Sequence, residues 1–196
     1  VITMAEYARN EINSIGGYYA YGKELIDGKN VYDFDVTKLC VYTKDIGLTG
    51  IEIYDLLRDE YDIQIEFGDI GNIMAYISIG DRLQDIERLV GALEDIKRLY
   101  AREKSGLAFV DAVIPKVVSS PQYSFYAEKE SVPIKESYGR VAGESVMAYP
   151  PGIPILAPGE LITKDIVDHI LYAKEKGCSL QGTADPEVKS LEVLIK

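Results

Sequence analysis

The stretch Tyr149–Glu160, YPPGIPILAPGE, holds four prolines and two glycines in twelve residues. Proline fixes φ and removes a backbone donor, so the run sets one rigid path and rejects both helix and central strand. Just upstream, Gly139–Glu144 reads GRVAGE. It places Arg140 and Glu144 four residues apart between glycines, where backbone can approach whatever the two charges hold. Downstream, Leu180–Pro186 reads LQGTADP, a further turn marked by Gly and Pro. The three stretches together predict a loop-rich unit that shapes part of a site.

This texture begins near Leu107, with Pro115, Pro121 and Pro133 among short apolar runs and one clear helix starting at Thr163. That helix has Asp165 in its first turn, Ile166, Val167, Ile170 and Leu171 facing inward, and Lys174 and Lys176 near a stop at Gly177. The preceding half reads differently. Ala5, Ala8, Ile12 and Ile15 lie at helical spacing ahead of Gly16 and Gly17. Strands follow at Tyr18–Tyr21 and Lys38–Thr43, the second rich in strand formers and reading as buried. Thr49 and Glu52 have capping-box spacing before the amphipathic run Ile51, Tyr54, Leu57 and Tyr61. Ile63–Phe67 and Ile73–Ile79 read as strands joined by a turn over Gly68–Asn72. A last helix begins after Gly80 and Asp81, with Leu83, Ile86, Val90 and Leu93 in its stripe. Helix, strand, strand, helix, strand, strand, helix predicts a sheet with helices on one face. The fold class is α/β (α+β): a small α/β sandwich domain over residues 1–105, then a loop-rich α+β domain over 106–196.

The 196 residues are 47% hydrophobic, enough for two cores of about 100 residues each. With 21 basic and 32 acidic residues the net charge is −11, which disfavours nucleic acid and anionic membrane surfaces and suits cationic partners. Neither a membrane-spanning run nor a signal-peptide pattern occurs, so a cytoplasmic location is expected. Cys40 and Cys178 form neither a disulfide framework nor a metal-ligand spacing and read as reduced core thiols. Val1 opens on what reads as the body of a helix, so the chain is expected to be a fragment of a longer one.

Walker and dinucleotide loops, HExxH and paired-cysteine motifs are all missing. His169, the single histidine, lies inside the last predicted helix without a readable catalytic partner. Glu66 is the stronger candidate. In IQIEF (63–67) the alternation puts Gln64 and Glu66 on one face, where a carboxylate can hold an ammonium or guanidinium or simply meet water. Arg140 and Glu144 either border a site or pair with each other. No metal site is expected.

On these residues the chain resembles the Orn/Lys/Arg decarboxylases, pyridoxal-phosphate (PLP) enzymes of the aspartate aminotransferase fold type. The first half resembles their small domain through VYDFD (31–35), GLTG (47–50), LLRDEY (56–61), Glu66 and ISIGD (77–81). The second half resembles their C-terminal domain through SYGR (137–140), Glu144, YPPGIP (149–154), PGE (158–160) and SLQGT (179–183). Aminotransferases of that fold type lack the appended domain, which ranks an aminotransferase fragment lower.

The resemblance implies a decarboxylase that joins PLP to the α-amine of ornithine, lysine or arginine, loses the α-carboxylate as carbon dioxide, and releases an amine for polyamine synthesis. In the family the cofactor lysine follows histidine in a Ser-x-His-Lys motif. Here His169 is followed by Ile170, so no catalytic or cofactor-binding residue is expected in this chain, no PLP is expected on it alone, and it should be inactive alone. By the same resemblance Glu66 faces the distal cation of the substrate, Arg140 and Glu144 are substrate-binding, and Tyr149, Pro150, Pro151 and Gly152 border the site. The expected partners are a basic amino acid, the missing N-terminal PLP domain, and further copies in a homodimer or higher homo-oligomer. A self-contained acidic binding or oligomerisation module without catalysis is the alternative.

Overall fold

The computed structural model describes residues 1–103, 113–149 and 151–195. They fall in two compact units, Val1–Ala108 and Phe109–Lys196. The predicted boundary at 105–106 lies outside the described residues. Mixed helix and sheet in both units makes this an α+β chain.

The first unit runs α1 (Ile2–Ile15), β1 (Tyr19–Ala20), β2 (Lys38–Tyr42), α2 (Gly50–Tyr61), β3 (Phe67–Gly68), β4 (Asn72–Tyr76) and α3 (Leu83–Tyr100), the element order read from the sequence. Its strands form an antiparallel sheet in the order β1-β2-β4-β3. Alternation along each strand sends Ala20, Leu39, Val41, Ile73 and Ala75 to the face that packs the helices. Ala5, Ala8 and Ile12 of α1, Ile53 and Leu57 of α2, and Ile86, Leu89, Leu93 and Ile96 of α3 fill the other side of this core. The α3 stripe is rotated from the predicted one, and Leu83 is exposed.

Arg9 interrupts the apolar face of α1. Its Nε donates to the Tyr21 carbonyl at 2.5 Å and its Nη2 to the Lys38 carbonyl at 2.7 Å, which ties α1 to the ends of β1 and β2. Lys97 Nζ reaches the Ile15 carbonyl at 2.6 Å and satisfies an acceptor left open at the end of α1. The capping box at α2 forms as read: Glu52 N donates to Thr49 Oγ1 at 3.1 Å, and Thr49 N donates to the Glu52 carboxylate at 2.8 Å. Thr49→Ala removes the cap and should lower stability by about 1 kcal/mol, seen as a lower urea midpoint at unchanged slope.

The Ile63–Phe67 strand is shorter than predicted. Asp62 ends α2 in the left-handed region, at φ 51°, and Ile63 N donates back to the Leu57 carbonyl at 2.8 Å. The chain is still leaving the helix there, so pairing starts only at Phe67, opposite Met74. Nor are the two cysteines core residues, since Cys40 and Cys178 are only half-buried.

The second unit contains α4 (Pro121–Tyr126), β5 (Lys129–Pro133), β6 (Val146–Tyr149), β7 (Ile153–Leu156), α5 (Lys164–Glu175), β8 (Ser179–Gln181) and β9 (Ser190–Leu194). β5 pairs with β9, and β7-β6-β8 form a three-stranded antiparallel sheet. Ile166, Val167, Ile170 and Ala173 are the buried face of α5, which packs against β7, and Val146, Leu156, Leu191 and Val193 are buried in the same unit. The short helix α4 escapes sequence periodicity. Its signal is Ser120 as N-cap, accepting from Tyr123 N at 3.2 Å, with Pro121 in the first turn.

Candidate functional site

The proline-rich stretch resolves into a hairpin and a return. β6 is the central strand and stops at Tyr149, before the prolines begin. β7 is an edge strand and tolerates Pro154 because its outer side needs no donor. Gly152, at φ 95°, closes the turn by donating its N–H to the Ala148 carbonyl at 2.9 Å. Tyr149 and Pro151 are exposed at this tip. Pro150 lies outside the described residues.

Beyond β7 the stretch runs back along the Gly139–Glu144 segment. Gly159 N donates to the Ala142 carbonyl at 2.8 Å, Ala142 N to Glu160 at 2.9 Å, and Ile162 N to Arg140 at 2.9 Å. Gly159 has φ 89°, and a Cβ there would stand 2.3 Å from the Ser119 carbonyl oxygen, so only glycine fits. On its other side the same segment meets β9: Gly143 N donates to Glu192 and Leu194 N to Val141, both at 2.9 Å. The three sequence stretches therefore converge in one unit, and LQGTADP joins them through Ala184.

Within this arrangement Arg140 and Glu144 do not pair with each other. Arg140 Nη2 bonds the Leu194 carbonyl at 2.7 Å and the Glu130 carboxylate. The Glu144 carboxylate, 7% exposed, accepts from Glu192 N at 2.9 Å and from Ala184 N at 2.7 Å. Burial pushes the Glu144 carboxyl up, and the two amide bonds oppose the shift. Both side chains hold β9, and Glu144 also fixes the loop after β8.

Asp185 organises the rest of that loop. It accepts from the N–H groups of Glu187, Lys189 and Ser190 at 2.9, 2.9 and 3.0 Å, and from Ser190 Oγ at 3.2 Å. These bonds, that of Lys189 foremost, hold its carboxyl below the ordinary range. A folded pKa below the unfolded one means that its contribution is complete above the unfolded value and is lost as pH falls through the folded one. The Lys189 and Ser190 amide resonances should therefore titrate with a midpoint below the usual aspartate value, and Asp185→Asn should abolish that titration.

Glu66 belongs to the first unit. Its backbone N–H donates to Met74 at 3.0 Å, while its carboxylate is exposed, with no hydrogen bond or ion pair among the described residues. Glu66 lies outside the acid-rich groove of about 390 Å³ lined by Glu52, Asp55, Asp59, Glu60 and Tyr100, among others. The carboxylates of that groove are engaged: Glu52 caps α2 and bonds Arg102, Glu60 accepts from Tyr100 Oη at 2.6 Å, and Asp55 and Asp59 pair with Arg58.

His169, half-buried on α5, has no partner for Nδ1 among the described residues, and burial pushes its pKa down. No cluster of potential metal ligands occurs among the described residues. None of the described lysines is buried either. PLP requires a lysine amine held out of water and a cup for its phosphate. The described residues do not themselves build such a site. Sequence reasoning missed Arg9, whose signal is a cation inside an apolar helical stripe.

Residues 107–190 match the family model of the Orn/Lys/Arg decarboxylase C-terminal domain. The chain is 39% identical over 196 residues to an arginine decarboxylase of Halalkalibacterium halodurans, covering 98% of this chain and 40% of that protein. It is 34% identical to an arginine decarboxylase of Bacillus subtilis, with the same coverage of both. It thus spans about 40% of the length of these relatives. A lysine decarboxylase from Francisella novicida has the same fold, with a TM-score of 0.72 at 18% identity over 98% of this chain and 39% of that one.

Proposed function

Because residues 107–190 match the C-terminal domain of the Orn/Lys/Arg decarboxylase family, we propose that this chain belongs to that family and is the C-terminal share of a PLP-dependent decarboxylase of basic amino acids, with arginine first among the substrates. The observation that carries this reading is the 39% identity to an arginine decarboxylase along the full 196 residues. The cofactor supplies an electron sink for loss of the α-carboxylate and is held by residues beyond this chain. The chain itself contributes the substrate end. Glu66 offers a carboxylate to the distal guanidinium or ammonium, and the net charge of −11 favours approach of a cation. Arg140 and Glu144 act by fixing β9 and the loop after β8. The complete enzyme works in the cytoplasm as a homodimer or higher assembly and feeds polyamine synthesis.

No helix among the described residues is long and apolar enough to cross a membrane. Two separate assays on the purified chain test the assignment of labour: treated with PLP and then borohydride it should gain no specific cofactor adduct, and incubated with PLP and arginine without reductant it should release no carbon dioxide. Turnover by the chain alone would overturn it.

A further inference from the structure

Arg9 is a buried cation without a counter-ion among the described residues. Only 7% of it is exposed, and its bonds to the Tyr21 and Lys38 carbonyls use Nε and Nη2. Nη1 is buried and has no hydrogen-bond partner among the described residues. Burial, the largest influence, pushes the Arg9 pKa down, while Cys40, Glu24, Glu6 and Asp35 oppose it from a distance. A charge taken out of water is costly unless it is both paired and hydrogen-bonded. Arg9 lines a cavity of about 300 Å³ together with Glu6, Asn10, Lys23 and Glu24, among others. Asn10 and Lys23 stand exposed at its rim, with side chains that make no hydrogen bond or ion pair among the described residues. Glu24 is already engaged by Tyr19 Oη at 2.8 Å and Gly22 N at 2.7 Å. Tyr21 and Lys38 flank the connection 22–37, and Phe34 from that connection lies over the guanidinium at 5.4 Å. Arg9 therefore holds both ends of the connection and one residue inside it.

We infer that this cavity binds the carboxylate of a small organic acid, held by the Arg9 guanidinium with Lys23 and Asn10 as rim donors. A planar guanidinium matches a carboxylate through charge-assisted hydrogen bonds, and the ligand supplies the charge that Arg9 lacks. Glu6 lies on the same rim and repels a phosphate dianion more than a singly charged carboxylate, which selects between the two oxyanions. Nη1 is shielded from water, so binding includes a shift of the side chains over it, Phe34 first. Since Arg9 anchors both ends of the 22–37 connection, a ligand bound there stabilises the closed form of that connection and suppresses its local opening.

Hydrogen–deuterium exchange with mass spectrometry on the complete protein tests this, with sodium acetate replacing sodium chloride at constant ionic strength and pD. Amide exchange across 22–37 should slow about threefold or more, with a saturating dependence on acetate, while β5 and β9 stay unchanged. Lys23→Ala, at an exposed residue, should raise the acetate concentration of half-effect about tenfold. Slowing that survives Lys23→Ala unaltered comes from another site and overturns the inference. Slowing by inorganic phosphate without any by acetate overturns the carboxylate. A complete protein indifferent to acetate also overturns it, because the counter-ion of Arg9 is then supplied by the rest of the polypeptide. The readout needs neither cofactor nor turnover, so its failure leaves the proposed function standing.

Discussion

Replacing Glu66 by alanine in the complete enzyme should lower kcat/KM for its basic amino acid by about 10- to 100-fold. A hydrogen bond to a charged group is worth about 1.5–3 kcal/mol, and the loss falls on a carboxylate with no other partner among the described residues. The backbone beneath it is fixed by the bond from Glu66 N to Met74, so truncation removes charge without moving the chain. Glu66→Gln keeps the shape and an acceptor but not the charge. If the carboxylate binds the distal cation in the ground state, both variants raise KM and leave kcat near its original value. Unchanged kinetics for both would remove Glu66 from the site.

Gly50→Ala should be the most damaging single-methyl change in the first unit. A Cβ at Gly50 would stand 1.8 Å from the Asn72 carbonyl oxygen and 2.4 Å from its carbon, both backbone atoms that no rotamer change can move aside. The first turn of α2 and the β3–β4 turn are packed main chain to main chain, and a Cβ added at Gly68 would likewise stand 2.1 Å from the Gly50 carbonyl oxygen. Overpacking costs about 1–3 kcal/mol even where side chains can adjust, so the loss here should reach about 3 kcal/mol or more. Urea denaturation followed by circular dichroism should show the fall. A wild-type midpoint would mean that α2 does not approach the turn so closely.

The helices α1, α2, α3 and α5 were legible because each is written twice, once in apolar spacing and once in end signals such as Thr49 with Glu52. Among the strands β2 was legible from its strand-forming residues, whereas β5 and β9 went unread although they pair along five residues. The Ile63–Phe67 reading failed because burial alternates there without pairing: Ile65 is buried and Gln64 and Glu66 are exposed while the chain is still coming off α2. Arg140 and Glu144 looked like a local pair at a spacing of four. Their partners on β9 lie 54 and 48 residues away, a distance over which sequence spacing carries no geometry. The proline-rich stretch was read as excluding helix and central strand, and the edge strand β7 within it depends on which side of the sheet is left unpaired.

The most direct test of the account is carbon dioxide release by the complete PLP-loaded protein, measured separately with arginine, lysine and ornithine. Turnover of one of them, with arginine fastest, is the predicted result. A folded complete protein that binds PLP and releases carbon dioxide from none of the three would contradict it.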